Sequence, residues 1–343
     1  MMDLKIAWLN LNRNCNMHCR FCYASSRLRD MSFMDFEKIE LMICILKAHG
    51  IEKVVLLEGE PTLYKELEKL LSLLEKNKMK VAVQTNGLAL ENKDFLDSIS
   101  RRAKCSISIK AFTEKTYERV TGKKDFSAYE AVIRKVIDSN YLMEYTYVLD
   151  RFDEKFLKKV ADGIQRWNIK QIIISSEQID MEKKNRTAID LYDICRAYQF
   201  LFYELRDKTV KLFFNMNIPL CMFEDNVIID FLNEGVIPGR NCQLMNPVGV
   251  VLDTDYSILP CNMFTCLQGE KPNLFDTNKT IESIYTGYKE KLHSSMINLV
   301  CDNCSLWKYC MGGCRLRWEY EDVRKYLRKI NFALKIHKDK SNA

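Results

Sequence analysis

Three cysteines near the start of the chain have a spacing that suits one metal cluster. Cys15, Cys19 and Cys22 lie in the segment Cys-Asn-Met-His-Cys-Arg-Phe-Cys, a CxxxCxxC pattern. Thiolates so close together can bind three corners of a 4Fe-4S cube and leave the fourth iron open to a small molecule. A structural zinc site needs four protein ligands, and the nearest other candidate, His18, lies inside the motif itself. The pattern therefore favours an iron-sulfur cluster over zinc or over three buried thiols.

Eight more cysteines lie between residues 221 and 314. Eight is the number of ligands that two fully coordinated cubes require. Four of the eight form the dense run Cys301-x2-Cys304-x5-Cys310-x3-Cys314, which indicates coordinated metal. A pair of structural zinc ions is the alternative, because CxxC spacing also suits zinc. The eight cysteines are Cys221, Cys242, Cys261, Cys266, Cys301, Cys304, Cys310 and Cys314.

The composition is that of an ordered globular protein. The 343 residues include 47% hydrophobic and 29% charged side chains, which suits one large α/β domain followed by a smaller one. The sequence has no secretory signal and no apolar run long enough to span a bilayer, so we expect a cytoplasmic protein with no membrane partner. In that compartment we expect the cysteines to bind metal rather than form disulfide bonds. The net charge is +6, and a terminal basic stretch from Arg324 to Lys340 predicts a solvated face. Docking of an acidic partner or a nucleic acid is the less favoured alternative.

Short β-rich runs alternate with helix-like segments from Leu4 onward, which predicts six βα units and a parallel sheet or partial barrel. We predict a helix that opens at Ser32, with Asp35 three residues on as a capping signal, and a later helix over residues 186–206. The alternation stops near Thr209. The predicted strands are Lys5–Leu11, Lys53–Leu57, Lys80–Gln84, Lys104–Ile109, Met143–Val148 and Gln171–Ile174.

The rest of the chain is irregular and rich in cysteine. Residues 248–260 predict a β-hairpin that turns at residues 253–256, and a final helix is expected near Leu316. The predicted fold is therefore α/β: a partial (β/α)6 TIM-like barrel over residues 1–208, a small cysteine-rich α+β domain over residues 209–315, and a basic C-terminal helix over residues 316–343.

The first cysteine motif resembles that of the radical S-adenosylmethionine superfamily, CxxxCxΦC, in which an aromatic residue precedes the third cysteine. Phe21 fills that position. The resemblance implies that Cys15, Cys19 and Cys22 bind a 4Fe-4S cluster whose open iron chelates the methionine part of S-adenosylmethionine. It also implies that an electron cleaves this cofactor to a 5′-deoxyadenosyl radical, which abstracts hydrogen from the substrate. A reducing partner such as flavodoxin or ferredoxin is expected.

The turn after the second strand resembles the GGEP turn of the same superfamily, in which backbone and acidic groups hold the methionine ammonium. Here it consists of Glu58, Gly59, Glu60 and a proline, so Glu58 departs from the family's first glycine. This departure could tighten ammonium binding or distort the turn. An ordinary Gly-Pro turn after a strand is the alternative.

Two further strand ends match the superfamily. The third strand ends in Gln-Thr-Asn-Gly, with Thr85 and Asn86 in the positions of the family's TNG. On the fourth strand Ser106 and Ser108 alternate with apolar residues, and the resemblance places the ribose of S-adenosylmethionine near one of them. A solvated strand face is the alternative.

The later cysteines resemble the SPASM domain, which follows the barrel in one branch of the superfamily. In that pattern the first auxiliary cluster takes Cys221, Cys242, Cys261 and Cys314. The second cluster takes Cys301, Cys304, Cys310 and a cysteine further downstream, which this chain lacks. Three solutions stay open: Cys266 supplies the fourth bond, the cluster has an open or non-cysteine ligand, or only one auxiliary cluster forms.

The SPASM branch is dominated by enzymes that modify ribosomally synthesised peptides, so the resemblance implies a cross-link, a thioether or an epimerised residue. The alternative is dehydrogenation of a protein side chain, a sugar or a small alcohol. Sulfatase-maturing relatives carry an aspartate where this chain has Asn262, which disfavours that branch. A non-catalytic iron-sulfur electron-transfer protein is the alternative of another class. It would need no site for S-adenosylmethionine, so the turn at residues 58–61 and the polar fourth strand disfavour it.

Because the predicted barrel begins at Leu4, we expect no separate N-terminal peptide-recognition domain. Leader recognition would then use the core itself or a separate protein. Four residues at the ends of the fifth and sixth strands are expected near the barrel mouth, where they could contact substrate. Ordinary packing against helices or loops is an equal alternative for each. No catalytic base is assigned. These four are Tyr145, Tyr147, Ser175 and Glu177.

Three cysteines remain outside both motifs. Cys44, Cys105 and Cys195 lie on predicted helices or strands, and we expect them to be buried small hydrophobic side chains. A hydrogen-atom donor to a substrate radical, as in some peptide epimerases of the superfamily, is the alternative.

Overall fold

Nine strands form one sheet in the computed structural model, which describes residues 3–139, 141–178, 189–215, 218–236, 242–263, 271–293, 301, 304–320 and 323–326. The order is β7-β6-β5-β4-β3-β2-β1-β8-β9, with every pair parallel except β8 and β9. The strands are β1 (Ile6–Asn10), β2 (Lys53–Leu57), β3 (Lys80–Thr85), β4 (Lys104–Ile109), β5 (Glu144–Leu149), β6 (Gln171–Ser176), β7 (Lys211–Phe214), β8 (Gly249–Leu252) and β9 (Ile258–Leu259).

Helices connect the parallel strands, as parallel pairing requires, and three further helices follow β9. They are α1 (Phe36–Ala48), α2 (Leu67–Lys76), α3 (Lys93–Arg102), α4 (Glu114–Thr121), α5 (Phe126–Asp138), α6 (Glu154–Arg166), α7 (Leu191–Leu205), α8 (Asp225–Asn233), α9 (Ile281–His293), α10 (Trp307–Cys310) and α11 (Arg315–Tyr320). No helix within the described ranges is both long enough and apolar enough to span a bilayer.

The six predicted strands are all present: β2 and β4 have the predicted bounds, and the other four have one or both ends shifted by one or two residues. The sequence missed β7, which extends the parallel sheet beyond the predicted boundary at residue 208. The predicted hairpin is confirmed as β8 and β9, and β8 pairs in parallel with β1. The cysteine-rich region therefore shares a sheet with the barrel, and the predicted division into domains stays a prediction.

Helix starts follow the caps more closely than the apolar pattern. The predicted start of α1 at Ser32 is wrong, because the Asp35 carboxylate accepts from the Glu37 N–H at 3.1 Å and the helix begins at Phe36. Asp190 caps α7 in the same way, so this helix begins at Leu191. The predicted start at Arg186 lies outside the described residues. The final helix, predicted near Leu316, begins at Arg315 and is described to Tyr320; residues 321–322 and 327–343 lie outside the description.

The two faces of the sheet differ in chemistry. On β4, Cys105, Ile107 and Ile109 are fully buried against the helices, as strand alternation predicts. The opposite, inner face carries Ser106 and Ser108. On β1, β2 and β3 the inner face carries a separate small apolar cluster, formed by Val55, Leu57 and Ala82 with Ile6 and Trp8. The inner face is therefore apolar around this cluster on β1–β3 and polar on β4.

The predicted burial of the isolated cysteines holds for Cys105 and Cys195, which are 0% and 4% exposed. It is wrong for Cys44, which is exposed on α1. The buried side of α1 consists of Ile39, Met42, Ile43 and Leu46. Cys44 follows Ile43 directly and is rotated about 100° away from it around the helix.

The junction of β1 and β8 gives a test of this architecture. A Cβ atom added to Gly249 would lie 1.7 Å from the Ile6 carbonyl oxygen, a backbone atom that cannot move aside without breaking the pairing. We expect Gly249→Ala to destabilise the chain by about 1–3 kcal/mol, measured as the midpoint shift in guanidinium denaturation. Gly287→Ala is the matched control, because Gly287 lies in α9 with no heavy atom within 4 Å of an added Cβ. The control should retain or slightly raise stability. Equal midpoints for Gly249→Ala and the parent chain would contradict the close β1–β8 approach.

Candidate metal centre and cofactor site

The loop that follows β1 carries the first three cysteines at the carboxyl edge of the sheet. Cys15, Cys19 and Cys22 are all half-buried, and their thiols lie within electrostatic range of one another. The loop is anchored by the Arg20 N–H, which donates to the Val120 carbonyl at 2.8 Å. Burial raises the pKa of Cys22 to about 11, so the free thiol holds its proton at neutral pH. Loading of iron must therefore displace protons from this loop.

Within the described ranges, no three His, Cys, Asp or Glu side chains converge as closely as one metal ion requires. This finding concerns single ions. A cubane accepts its thiolates on separate irons, so its ligands stand further apart than those of one tetrahedral zinc.

The turn after β2 packs directly against the cysteine loop. Gly59 has a positive φ of 52°, and a Cβ atom there would lie 2.5 Å from the Asn14 carbonyl oxygen and 2.6 Å from that of Asn12. The Glu60 N–H donates to the same Asn14 oxygen at 2.8 Å. Only glycine fits this approach, so Gly59 fixes the distance between the two loops.

Glu60 is buried beneath this turn, where its carboxylate accepts four hydrogen bonds. The Thr62 N–H and hydroxyl donate at 3.2 and 2.7 Å, the Thr85 hydroxyl at 2.7 Å and the Asn86 N–H at 2.8 Å. The Asn86 side chain in turn donates to Asn16 in the cysteine loop at 2.7 Å. The turn, the end of β3 and the cysteine loop are therefore held by one carboxylate.

Glu58, the departure from the family's glycine, keeps a left-handed backbone with φ of 65°, the conformation that glycine adopts most easily. Its carboxylate is completely buried and lies 3.0 Å from Arg27 Nη2 and 3.7 Å from Arg13 Nε. Burial raises its pKa from 4.5 to about 7. The two arginines oppose this rise, but desolvation is the larger effect.

The same two arginines reach the β8–β9 hairpin. Arg27 Nη2 also donates to the Asn262 carbonyl at 3.1 Å, and Arg13 Nη2 donates to Asp253 at 2.8 Å. Asp253 lies in the turn between β8 and β9, and Asn262 follows Cys261. Glu58 therefore lies at the centre of a buried ionic network that joins the cysteine loop to the hairpin. In the sequence, only the departure from glycine at Glu58 pointed to this network. Residues 13 and 253 are too far apart in the chain for any local pattern to pair them.

The inner face of β4 extends the polar surface. The Ser106 hydroxyl donates to Glu144 at 3.4 Å, and Lys110 Nζ donates to the Ser108 hydroxyl at 2.8 Å. Lys110 Nζ also lies 5.8 Å from the centre of the Phe21 ring. Burial raises the thiol pKa values of Cys15 and Cys22, and the positive charge of the buried Lys110 opposes part of this rise.

The four residues placed near the mouth by position divide into two pairs. Tyr145 and Tyr147 are buried on the helix side, and the Tyr147 ring stacks on Phe112 with centroids 5.3 Å apart, so the packing alternative holds for both. Strand alternation is the reason, because both tyrosines share a face with the buried Leu149. Ser175 is half-buried on the opposite face of β6. Glu177 is buried just beyond β6, and its carbonyl accepts from Arg317 Nη2 at 3.1 Å.

Most of the described cysteines of the second set lie near one another. Cys301 lies within electrostatic range of Cys221, Cys304 and Cys310. The buried Arg315 side chain lies within electrostatic range of Cys242, Cys301, Cys310 and Cys314. Cys261, at the end of the hairpin, lies within electrostatic range of Tyr23 and Tyr285. Cys266 lies outside the described residues.

The amino-acid sequence was also compared with known protein families. Residues 9–162 match the Radical SAM superfamily. This part of the chain is a radical SAM domain. The matched residues include the three cysteines of the first motif, the turn at Gly59 and the polar face of β4.

Solved structures share the fold over nearly the whole chain. Streptococcus suis SuiB bound to S-adenosylmethionine has a TM-score of 0.70 and 18% identity, covering 95% of this chain and 77% of that one. SuiB bound to its precursor peptide SuiA has a TM-score of 0.70 and 17% identity, covering 95% and 75%. Native anSMEcpe with bound AdoMet and the Cp18Cys peptide has a TM-score of 0.69 and 19% identity, covering 91% and 89%. At these identities the likeness shows the fold, and it confirms the predicted fold class.

Curated relatives align over a smaller part of the chain. An uncharacterized protein of Archaeoglobus fulgidus is 28% identical over 134 residues, 39% of this chain and 31% of that protein. A probable GTP 3′,8-cyclase of Saccharolobus islandicus (strain M.14.25) is 26% identical over 172 residues, 50% of this chain and 55% of that protein. This chain therefore spans about half the length of the cyclase and less than a third of the length of the Archaeoglobus fulgidus protein.

The ionic network at Glu58 gives a pH-dependent prediction. The folded carboxyl keeps its proton up to about pH 7, whereas the unfolded chain loses it near pH 4.5, so folding stability falls as the pH rises through this window. Glu58→Gln cannot titrate. We expect the parent chain to lose about 3 kcal/mol relative to Glu58→Gln between pH 5 and pH 8, measured by anaerobic urea denaturation. The exposed Glu290→Gln serves as the matched control. Parallel curves for the parent chain and Glu58→Gln would show that this carboxyl does not titrate in the fold.

Proposed function

We propose that this protein is a radical S-adenosylmethionine enzyme that modifies a ribosomally synthesised peptide by hydrogen abstraction. The observation that carries the proposal is the cysteine loop of the radical SAM domain, held by Gly59 and Glu60 at the carboxyl edge of the sheet. The outcome would be a cross-link, a thioether or an epimerised residue.

The donor set fits a 4Fe-4S cluster held by Cys15, Cys19 and Cys22. Three soft thiol ligands lie on one loop, within electrostatic range of each other, and Lys110 offers a compensating positive charge. When bound, such a cluster would supply the electron that cleaves S-adenosylmethionine to the hydrogen-abstracting 5′-deoxyadenosyl radical. One or two auxiliary clusters would be held by the second cysteine set.

The chain's own residues would position the cofactor and exclude water. Gly59 lets backbone oxygen and N–H groups of two loops meet without a side chain between them. In this proposal the turn from Glu58 to Glu60 and the TNG residues Thr85 and Asn86 form the frame around the methionine part. The inner face of β4, with Ser106 and Ser108, would contact the ribose.

A peptide substrate is supported by the extent of the structural likeness. The relation to SuiB, solved with a precursor peptide, covers 95% of this chain and so includes the cysteine-rich region. That region is tied to the barrel by the Arg27–Asn262 and Arg317–Glu177 hydrogen bonds, which allows one substrate to face both. A flavodoxin or ferredoxin as reductant, and a separate leader-recognition protein, belong to the same proposal.

A second candidate function is chemistry on a nucleotide. It is favoured by the 26% identity to a probable GTP 3′,8-cyclase over 172 residues. The dehydrogenation of a protein side chain, sugar or alcohol has less support. The position of the family's aspartate base is filled by Asn262, whose carbonyl is engaged by Arg27.

The radical step is tested by anaerobic incubation of the reconstituted chain with S-adenosylmethionine and dithionite. We expect 5′-deoxyadenosine from the parent chain and only background from Cys19→Ala, measured by liquid chromatography with mass detection. Cys44→Ala is the matched control, because it removes an exposed thiol on α1 and should retain parent activity. Absence of 5′-deoxyadenosine from the iron-loaded parent chain would overturn the radical proposal.

The substrate class is tested with two probes in the same assay. One is the peptide encoded by a short open reading frame next to this gene, and the other is GTP. We expect peptide-dependent 5′-deoxyadenosine together with a peptide that has lost two hydrogens or has changed retention at unchanged mass. Conversion of GTP to a cyclised nucleotide, with the peptide unchanged, would replace the peptide proposal by the nucleotide one.

A further inference from the structure

Positive charge gathers at the amino ends of the strands, on the inner face of the sheet. Four lysines are each the first residue of a strand: Lys53 of β2, Lys80 of β3, Lys104 of β4 and Lys211 of β7. Lys53 is half-buried and the other three are exposed. These four side chains form a lysine strip, at the end of the sheet opposite to the first three cysteines.

Strand alternation places Lys53 and Lys80 on the inner face, because side chains two residues apart on a strand share a face. Val55 and Ala82 follow them at this spacing, and both belong to the inner apolar cluster. In the register of β2 and β3, Lys53 lies directly opposite Lys80. Like charges opposite each other on neighbouring strands destabilise a sheet, so this pair costs free energy unless an anion lies nearby.

Lys104 and Lys211 extend the strip to β4 and β7. Lys104 precedes Ser106 by two residues, and its Nζ lies 2.8 Å from a carboxylate oxygen of Glu144. The Ser106 hydroxyl donates to the same carboxylate, so all three side chains share the inner face. Lys211 precedes Phe213 by two residues, and its Nζ lies 5.2 Å from the centre of that ring. Both lysines therefore lie on the face that carries the polar side chains of β4.

Acidic side chains balance only part of this charge. Within the described part of the chain, Glu144 is the only acidic residue that forms an ion pair with the strip, and its partner is Lys104. Other basic residues at this end of the sheet, such as Lys47 and Arg166, lie in the last turns of helices, where the helix dipole favours them. The lysines of the strip begin strands, so the dipole does not account for them. Their charge favours an anionic partner.

The inner face is accessible from the strip to the cysteine loop. On β5 and β6 the inner side chains are half-buried while the outer ones are buried, and Gln84 is exposed on β3. A closed parallel barrel would fill its interior with side chains. Lys104 and Lys110 are six residues apart on β4, and Lys110 Nζ lies 5.8 Å from the ring of Phe21 in the cysteine loop. At about 3.3 Å per residue, the strip lies about 20 Å from this loop.

We propose that the lysine strip binds acidic side chains of the peptide substrate, about six residues from the residue that is modified. An extended peptide advances by about 3.3 Å per residue, so about six residues span the distance from the cysteine loop to the strip. This inference rests on the proposed function and adds a charge requirement for its substrate.

A nucleoside triphosphate would present its charge in a different arrangement. Its phosphates form one short chain, which a single group of neighbouring basic side chains can surround. The strip instead extends from β2 to β7, which are separated by five strand spacings of about 4.8 Å each along the sheet. Positive charges spread over this length suit separate carboxylates along a peptide.

The test uses the iron-loaded full chain and fluorescein-labelled hexaglutamate as the probe. Lys53→Gln combined with Lys80→Gln should weaken probe binding about 5- to 30-fold, measured by fluorescence anisotropy at low ionic strength. The matched control is Lys5→Gln combined with Lys170→Gln. It removes the same charge at the same end of the sheet, but these lysines directly precede inner-face residues and so alternate to the outer face. The control should bind the probe as the parent chain does.

An equal loss of binding in both double variants would overturn the assignment to the inner face. Misfolding is checked by the melting temperature from circular dichroism. Removal of the opposed lysines should leave this temperature unchanged or raise it, because a repulsion is lost.

A second probe distinguishes carboxylates from phosphates. Tripolyphosphate is added to the complex of the parent chain with labelled hexaglutamate. We expect it to compete no better than unlabelled hexaglutamate does. Displacement at a much lower concentration of tripolyphosphate would overturn the peptide as the ligand of the strip.

Turnover of the peptide encoded next to this gene tests the position of its acidic residues. Lys53→Gln combined with Lys80→Gln should raise KM for this peptide about 5- to 30-fold with kcat retained. Replacement of the peptide's Asp and Glu residues about five to seven positions from the modified residue should raise KM of the parent chain similarly. The same peptide change should have little further effect in the double variant. Additive effects would overturn the pairing.

Failure of the proposed function gives a different result. If hexaglutamate binding depends on the strip while the peptide is not modified, the peptide function is overturned and the anion site stands. If the peptide is modified with a KM that does not depend on the strip, only this inference is overturned.

Discussion

The buried carboxylate of Glu60 holds the turn after β2, the end of β3 and, through Asn86, the cysteine loop in one arrangement. A buried carboxylate is costly unless its oxygens are hydrogen-bonded, and here four donors surround it. The close approach at Gly59 adds a steric limit, since no side chain fits between the turn and the Asn12 and Asn14 carbonyls. The relative position of the first three cysteines and the strand ends depends on these two features together.

A second ionic network extends this arrangement to the cysteine-rich region. Glu58 lies between Arg27 and Arg13, and these arginines bind the hairpin at Asn262 and Asp253. The hairpin is also a continuation of the sheet, because β8 pairs with β1. The cysteine loop and the hairpin with Cys261 are therefore joined both by the sheet and by the buried ionic network. This coupling suits the proposed function, in which one substrate would face an initiating centre and an auxiliary one.

The substitution of glycine by glutamate at position 58 has a structural explanation. The backbone keeps the left-handed conformation that glycine favours, so the shape of the turn is retained at the cost of strain. The side chain is directed to Arg27, where it helps fix the backbone carbonyl of Asn262. Neither a tighter contact with an ammonium group nor a distorted turn is needed to account for it.

The sequence by itself determined the features that depend on neighbouring residues. The CxxxCxxC motif, the six strands that alternate with helices, the hairpin and the burial of Cys105 all follow from local spacing and strand parity. The tertiary structure decided what depends on residues far apart in the chain. Arg13 meets Asp253 across 240 positions, β8 joins β1 rather than forming a separate sheet, and Cys221 lies within electrostatic range of Cys301. It also decided which side of α1 is covered, and so the exposure of Cys44. Such outcomes are set by packing between elements, which no local pattern encodes.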